Sequence, residues 1–178
     1  MKLFCSLFAL TLFGSCLAAD EDGFESIFNG KDFTDWDSQP GAWEIVESEI
    51  HCTGTSEGKN WLIWRKEQPA NFILRLEFKW GAGNSGVQVR SDDLGDWQIF
   101  GYQVEVAQQD VMGLWHHSLL SKEHPTREAR HLMTTAGQSA EISEASVRKV
   151  TQVADTAEIQ AHYKEGEWNT MEIIADGT

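Results

Sequence analysis

Polar side chains recur at every second position in two neighbouring stretches of this chain. Gln88 and Arg90 alternate with valines, and Gln103 and Glu105 alternate with tyrosine and valine. This alternation is typical of β-strands, in which residues two apart lie on the same face. If the two strands are neighbours in one sheet, four hydrogen-bonding side chains converge on one surface. The sequence therefore predicts a site for a polar ligand on a sheet.

Strands with the same period must form the sheet that holds these residues. From residue 71 to residue 80 apolar residues alternate with mainly charged ones, which predicts a strand with one face in a hydrophobic core. Other short apolar runs are separated by turns rich in Gly, Asn and Asp, and residues 168–175 predict a last strand. We therefore predict an all-β fold, a two-sheet β-sandwich or jelly roll, with one short helix near the C-terminus.

Two segments depart from the strand pattern. Between Asp110 and Ala154 no period is recognisable, which predicts a long irregular connection with a functional role. Asp155 followed by Glu158 is typical of a helix N-terminus, so the short helix is predicted to run from there to about Lys164.

The first residues predict export. Met1 and Lys2 are followed by an apolar run and then by small residues before Asp20, which is the order found in a secretory signal peptide. We expect residues 1–19 to be this leader and residues 20–178 to form one domain in the periplasm or outside the cell. The apolar run is too short for a membrane anchor, so no membrane partner is expected unless the protein is a lipoprotein lipidated at Cys16.

Charge and composition narrow the class of partner. The chain has 178 residues, a formal net charge of −14 and eight tryptophans. Such an acidic excess opposes binding to nucleic acid, which needs clustered Lys and Arg. A neutral carbohydrate is compatible with it, and aromatic rings can stack on sugars.

Further candidate site residues lie beside the two polar strands. Asn84 and Ser85 either bind substrate or shape a turn, because Asn next to Gly is common in turns. His116 and His117 are candidate bases, since imidazole exchanges a proton near neutral pH. They are adjacent, so in an extended chain only one faces the site, and an exposed pair is the alternative. Trp115 is the first choice for stacking on a sugar ring.

Two motifs stand in a specific order, Asn84-Ser-Gly-x-x-x-Arg90 and Gly101-Tyr-Gln-x-Glu105. With residues 24–36, 61–64, 72–78 and 167–174 they resemble the 3-keto-disaccharide hydrolase domain family, over nearly the whole chain after the leader. The resemblance implies a concanavalin A-like jelly roll in an exported carbohydrate-active enzyme. Members of this family continue past the last strand seen here, so the domain is expected to be truncated at its C-terminus.

The resemblance also implies a reaction, the cleavage of 3-keto-glycosides. A carbonyl at C3 acidifies the C2 proton, so a base can form an enolate and the aglycone can leave from C1; water addition then gives net hydrolysis. On the matching motifs Arg90 is expected to stabilise the enolate and Glu105 to act as acid/base or to face a metal. Gln88 and Gln103 are expected to hold sugar hydroxyls. A structural salt bridge between Arg90 and Glu105 is the alternative.

Other functions stay open. A non-catalytic carbohydrate-binding module could use the same groove, and an ordinary retaining glycosidase would want further carboxylates on the strand of Glu105, which the sequence does not supply. No cofactor is certain. A divalent cation stays an alternative if Glu105 meets one of the histidines, although no His-x-x-x-His spacing is present.

Overall fold

The computed structural model describes residues 23–56, 58–118, 129–145 and 147–177, with the backbone alone at positions 118, 129 and 130. The predicted leader, residues 1–19 with Cys16, lies outside these ranges. In chain order the described strands are β1 (Trp36–Asp37), β2 (Trp43–Val46), β3 (Glu49–Cys52), β4 (Ile63–Trp64), β5 (Phe72–Lys79), β6 (Ser85–Gly95), β7 (Gln98–Val106), β8 (Gly113–Ser118), β9 (Ala129–Thr135), β10 (Gln138–Ile142), β11 (Arg148–Gln152) and β12 (Trp168–Ala175), and the α-helix is α1 (Thr156–Gln160).

The described strands pair in antiparallel fashion. The largest described sheet has the order β6-β7-β8-β9, and four smaller sheets pair β5 with β12, β2 with β3, β1 with β4 and β10 with β11. Strands dominate, and α1, near the C-terminus, is short. The predicted all-β, sandwich-type fold is therefore confirmed.

The sheet of β5 and β12 supplies an apolar layer. Every second residue of β5 points inward, beginning with Phe72, and the residues between them are exposed. In β12, Ala175 and Ile173 pair with Phe72 and Leu74 and are buried. Because paired residues lie on one face, the two strands present a continuous apolar surface to the core.

Tyr163, which follows α1, connects this apolar layer with the four-stranded sheet. Its ring stacks on Phe78 of β5 at 6.0 Å between centroids. Its hydroxyl donates a hydrogen bond of 2.7 Å to the carbonyl oxygen of Ala107, just after β7. Burial raises the pKa of Tyr163, so the hydroxyl stays protonated and remains a donor. The end of β7 is thereby fixed against the inner face of β5.

An ion-pair cluster holds the other end of the β6–β7 hairpin. Arg65, directly after β4, pairs with Asp37 of β1 at 3.0 Å and with Asp93 of β6. The indole of Trp97, in the hairpin turn, donates to Asp37 at 2.8 Å. These bonds from Trp97 and Arg65 lower the pKa of Asp37. The cluster positions β4, and the residues just before it, against the hairpin.

The prediction of a long irregular segment between Asp110 and Ala154 is wrong, because β8, β9, β10 and β11 lie there. The described β8 residues up to His117 are at least half-buried on both faces, and all of β11 is exposed. A strand covered on both faces and a strand exposed on both faces do not need alternating apolar and polar residues. The two-residue period is therefore missing although these strands exist.

The start of the predicted helix is confirmed and its end is not. Asp155 Oδ1 accepts a hydrogen bond of 2.9 Å from the backbone N–H of Glu158. The helix ends at Gln160 rather than near Lys164. The next amides, of His162 and Tyr163, bond three residues back instead of four, which tightens the last turn into a 3₁₀ form.

Candidate active site

One face of the four-stranded sheet carries most of the predicted site residues. In the register of β6 and β7, Gln88 pairs with Gln103 and Gly86 pairs with Glu105. In the register of β7 and β8, Gln103 pairs with Trp115 and Gly101 pairs with His117. Directly paired residues share a face. We call this surface the polar face; its members are Gln88, Gln103, Glu105, Trp115 and His117.

Three of the five members of the polar face are buried, and Gln88 and Trp115 are half-buried. The exposed fraction is 1% for Glu105, 3% for His117 and 5% for Gln103. Polar groups in such positions cost free energy unless they form hydrogen bonds, and a buried carboxylate costs more than a neutral group. The predicted surface for a polar ligand is thus an interior layer, with its chemistry removed from bulk water.

Two side-chain amides hold the carboxylate of Glu105. Asn84 Nδ2 donates to Oε1 of Glu105, and Gln103 Nε2 donates to Oε2 at 2.8 Å. Gln103 Nε2 also donates, at 3.3 Å, to the backbone oxygen of Ser85. Asn84 is therefore more than a turn residue, and Ser85 contributes through its backbone. Both carboxylate oxygens are therefore oriented by donors.

Gly86 makes room for this arrangement. A Cβ atom at Gly86 would lie 2.6 Å from Cγ and 2.7 Å from Nε2 of Gln103. The side chain of Gln103 therefore lies flat over the backbone of β6, and this path brings its amide to both Ser85 and Glu105. Any larger residue at position 86 would displace it.

A tryptophan from a distant segment covers the other end of the polar face. Trp61, two residues before β4, donates from Nε1 to Oε1 of Gln88 at 2.7 Å. The ring of Trp61 meets the ring of His117 edge to face, with 6.5 Å between centroids and 87° between planes. The sequence marks the run Trp61 to Trp64 as apolar, but pattern alone gives no reason to rank Trp61 above the other tryptophans.

The two titratable groups of the polar face stand apart. His117 is paired with Gly101, four residues from Glu105 along β7. At about 3.3 Å per residue, their strand positions are offset by roughly 13 Å. Gln88, Gln103 and Trp115 lie between them. The layout therefore has a carboxylate at one end, an imidazole at the other, and two amides and an indole in the middle.

His116 points away from the polar face, because adjacent residues of a strand face opposite sides and His117 lies on the polar face. It pairs with Tyr102, and its ring contacts Tyr102 at 4.9 Å and Phe100 at 5.2 Å between centroids. Burial, and to a lesser extent the charge of His131, lower the pKa of His116. The two adjacent histidines therefore lie on opposite faces of β8, as expected of an extended chain, and His117 is the one on the polar face.

Arg90 does not join the polar face. The pairing of β6 with β7 is shifted between Val89 and Asp92, and Arg90 lies in this bulge with φ of 49°. It is exposed, and its guanidinium forms no hydrogen bond or ion pair with the described residues. The expected convergence of four side chains is therefore wrong for Arg90, and so is the alternative of a salt bridge to Glu105, because the bulge breaks the alternation that both assumed.

Trp115 lies on the polar face opposite Gln103 and is half-buried. Its indole N–H donates to the backbone oxygen of Val111 at 3.3 Å. This bond fixes the ring against the segment that leads into β8. A ring held in this way beside two amides provides an apolar surface of the kind on which sugar rings stack.

No metal-binding group is evident within the described ranges. They contain no set of three or more His, Cys, Asp or Glu side chains placed to hold an ion.

Among the described residues no helix has the length and apolar character needed to cross a bilayer.

The fold and the polar face together define an all-β, sandwich-type protein with a buried carboxylate, imidazole and amide layer on one sheet. Comparison with known proteins gives the family. Residues 23–178 match the model of the 3-keto-alpha-glucoside-1,2-lyase-like domain, so the chain belongs to that family. No curated protein and no solved structure matches the chain.

Proposed function

We propose that this protein is an exported enzyme that cleaves the glycosidic bond of 3-keto-glycosides, such as 3-keto-disaccharides, by removing the C2 proton and expelling the aglycone. One observation supports this most strongly. Glu105 is almost fully buried, is oriented by Asn84 and Gln103, and shares its sheet face with His117. Membership of the 3-keto-alpha-glucoside-1,2-lyase-like family makes a carbohydrate the expected substrate.

The reaction proceeds in two steps that balance. A base takes the C2 proton, the C2–H electron pair forms a C2=C3 double bond, and the carbonyl electrons move to the oxygen at C3. The enolate then collapses: the C3 carbonyl reforms, a C1=C2 double bond forms, and the C1–O bond breaks as the leaving oxygen takes a proton from an acid. Addition of water across C1=C2 completes hydrolysis, and without it the enzyme is a lyase.

Glu105 and His117 are the proposed proton-transfer groups. Glu105 carries a carboxylate that both amides hold in one orientation, as proton transfer to a fixed C–H bond requires. His117 lies about 13 Å away along the strands, a separation that a disaccharide can span. The C2 proton and the oxygen that leaves C1 are on neighbouring carbons, so one of these two groups serves both in turn, first as the base and then as the acid. The other lies toward the aglycone. Arg90 and His116 fit these roles less well because one is exposed and the other faces Phe100 and Tyr102.

The site offers binding as well as chemistry. Gln88, Gln103 and Asn84 provide amide groups, and Trp115 provides a ring at the middle of the polar face. A divalent cation beside Glu105 would help to stabilise the enolate oxygen. Loss of activity in the presence of a chelator would show that one takes part.

The experiment compares a chromogenic 3-keto-glucoside with the same glucoside unoxidised, with and without chelator. We expect cleavage of the keto compound alone, because only its C2 proton is acidic. Equal cleavage of both compounds would contradict the mechanism. Cleavage of neither, together with saturable binding to a polysaccharide, would replace the enzyme by a non-catalytic carbohydrate-binding module.

A further inference from the structure

The side-chain amide of Gln88 has a fixed direction. An indole N–H donates and never accepts, so the amide atom that faces Trp61 Nε1 at 2.7 Å must be the oxygen. The nitrogen of Gln88 is then turned the other way. Trp61 thus converts an amide that could donate or accept into a group that offers only its N–H to the polar face.

That donor is buried and has no acceptor among the described residues. Nε2 of Gln88 is inaccessible to solvent and forms no hydrogen bond there. A buried donor without an acceptor is unfavourable, and in native proteins such a group calls for an explanation. Gln103 is the neighbour of Gln88 across the strands, and the side-chain oxygen of Gln103 accepts no hydrogen bond from this donor.

We propose that Gln88 Nε2 donates a hydrogen bond to the oxygen at C3 of the bound keto sugar, that this bond strengthens as the enolate forms, and that Trp61 is the residue that positions it. The proposal rests on the proposed function and supplies the enolate stabiliser that the exposed Arg90 does not provide. A donor aimed at an oxygen that gains negative charge in the reaction is the arrangement that lowers the barrier.

The direction of the amide matches a ketone in particular. A sugar hydroxyl donates and accepts, whereas a ketone oxygen or an enolate only accepts. Because Trp61 occupies the Gln88 oxygen, the site keeps a donor for the ketone and offers the hydroxyl no acceptor at this position. Gln88 also lies midway between the proton-transfer groups, about 7 Å along the strands from the level of either. A ring held by its C3 oxygen there has C2 and C1 within reach of one of them.

The test uses 1,5-anhydro-3-ketoglucitol, which keeps the ketone and the C2 proton but has no aglycone to lose. Binding is measured by calorimetry, and enolate formation is measured by NMR as exchange of the C2 proton in D₂O. The variants are Gln88→Met, which removes the donor at similar length, and Trp61→Phe, which keeps a ring against His117 and frees the amide to rotate. Trp36→Phe is the matched control, because it loses an indole bond of 2.7 Å to the backbone oxygen of Ile27 away from the polar face.

We expect Gln88→Met to slow C2 exchange about 100-fold, the usual effect of removing one oxyanion donor. Its affinity for the keto compound should fall only about 3-fold to 10-fold, since the ground-state bond is neutral. Trp61→Phe should slow exchange about 10-fold with unchanged affinity for the parent 1,5-anhydroglucitol, as expected of a positioning residue. Trp36→Phe should exchange like the wild type.

Several results would overturn the proposal, and they are distinguishable from failure of the proposed function. Exchange by Gln88→Met at the wild-type rate rejects Gln88 while the enzyme stands. If the wild type binds the keto compound but neither exchanges its C2 proton nor cleaves a keto-glycoside, the proposed enzymatic function is wrong. In that case, loss in Gln88→Met of the preference for the keto compound over 1,5-anhydroglucitol still supports the hydrogen bond. A retained preference rejects it. No binding by the wild type rejects both. If Gln88→Met does not fold, Gln88→Glu decides, because its carboxylate still accepts from Trp61 and lacks the N–H.

Discussion

Strands β5 and β7 have the same two-residue period but use it in opposite ways. In β5 the apolar residues point inward, and the charged residues between them, such as Arg75 and Glu77, are exposed. In β7 the more deeply buried side is the one with Gln103 and Glu105. A period therefore tells which residues share a face, and only the rest of the structure decides which face is covered.

The difference between the two sheets is one of cost. The inner face of β5 and β12 is stabilised by removing apolar surface from water, which needs no exact partner. On the polar face of β6, β7 and β8, two side-chain amides donate to Glu105, and Gly86 makes room for Gln103. Burying these polar groups costs free energy, so we expect them to have a function, and variants on the two sheets should differ in their effects.

The largest effect is expected from Glu105→Gln. Loss of the carboxylate removes one of the two proton-transfer groups, so turnover of a 3-keto-glycoside should fall about 10²-fold to 10⁴-fold. One oxygen that now accepts from an amide becomes an NH₂ group facing a donor, which should also lower the free energy of unfolding by about 1–3 kcal/mol. Steady-state kinetics and urea unfolding measure the two effects.

Glu77→Gln is the control for Glu105→Gln, because it makes the same chemical change on the exposed face of β5. It should change neither turnover nor stability measurably. If Glu105→Gln behaved in the same way, the contrast between the two sheets and the catalytic assignment of Glu105 would both be lost.

The next effect concerns the packing that the polar face requires. In Gly86→Ala the new Cβ would lie 2.6 Å from Gln103 Cγ, so Gln103 must move and its bonds to Glu105 and Ser85 must lengthen or break. We expect a loss of about 1–3 kcal/mol in the free energy of unfolding, which is the usual cost of overpacking, and a parallel loss of turnover.

Gly81→Ala supplies the comparison for Gly86→Ala, because a Cβ at Gly81 meets nothing within 4 Å. Its effect on unfolding should stay within about 0.5 kcal/mol. Equal effects at the two glycines would mean that Gln103 is not confined by Gly86.

The sequence predicts the contents of the polar face better than its surroundings. Alternation correctly groups Gln88, Gln103 and Glu105, and it correctly allows only one of His116 and His117 to join them. These are consequences of strand geometry, which acts between residues close in the chain. The all-β class follows from the same local signals.

What the sequence does not predict depends on tertiary contacts. Nothing local marks the bulge that removes Arg90 from the face, because the residues after it continue in a strand. Trp61 reaches Gln88 from 27 positions away. Whether Glu105 is buried depends on what covers the sheet, which a two-residue period does not show. Such facts arise from packing between distant segments, which no period encodes.

A smaller effect separates the two sides of β8. His116 lies on the side away from the polar face, and burial lowers its pKa below 6.5. The unfolded chain therefore binds this proton more readily than the folded protein does. The stability that neutral His116 contributes is fully present above about pH 6.5, and it is lost as the pH falls from there through the lower pKa of the folded state.

His116→Phe keeps a ring against Phe100 and Tyr102 and removes the titration. Urea unfolding between pH 5 and 7.5 should then depend less on pH than in the wild type. His131→Gln should weaken the dependence only in part, because the charge of His131 is the smaller cause of the lowered pKa. An identical pH dependence in His116→Phe and the wild type would show that His116 is not buried as described.

The smallest effect is expected on the outer face of β5 and β12. Arg75 Nε and Glu172 Oε2 form an ion pair of 2.7 Å, and the two side chains are 44% and 42% exposed. Water and salt screen such a pair, so Glu172→Gln should change the free energy of unfolding by less than about 1 kcal/mol, and by less still at high salt. Turnover should not change. A carboxylate at 42% exposure and one at 1% would then differ by their surroundings alone, since both are glutamates that accept hydrogen bonds. If Glu172→Gln instead lowered the free energy of unfolding by several kcal/mol, an exposed ion pair would matter as much as a buried one. The distinction between the two sheets would then be lost.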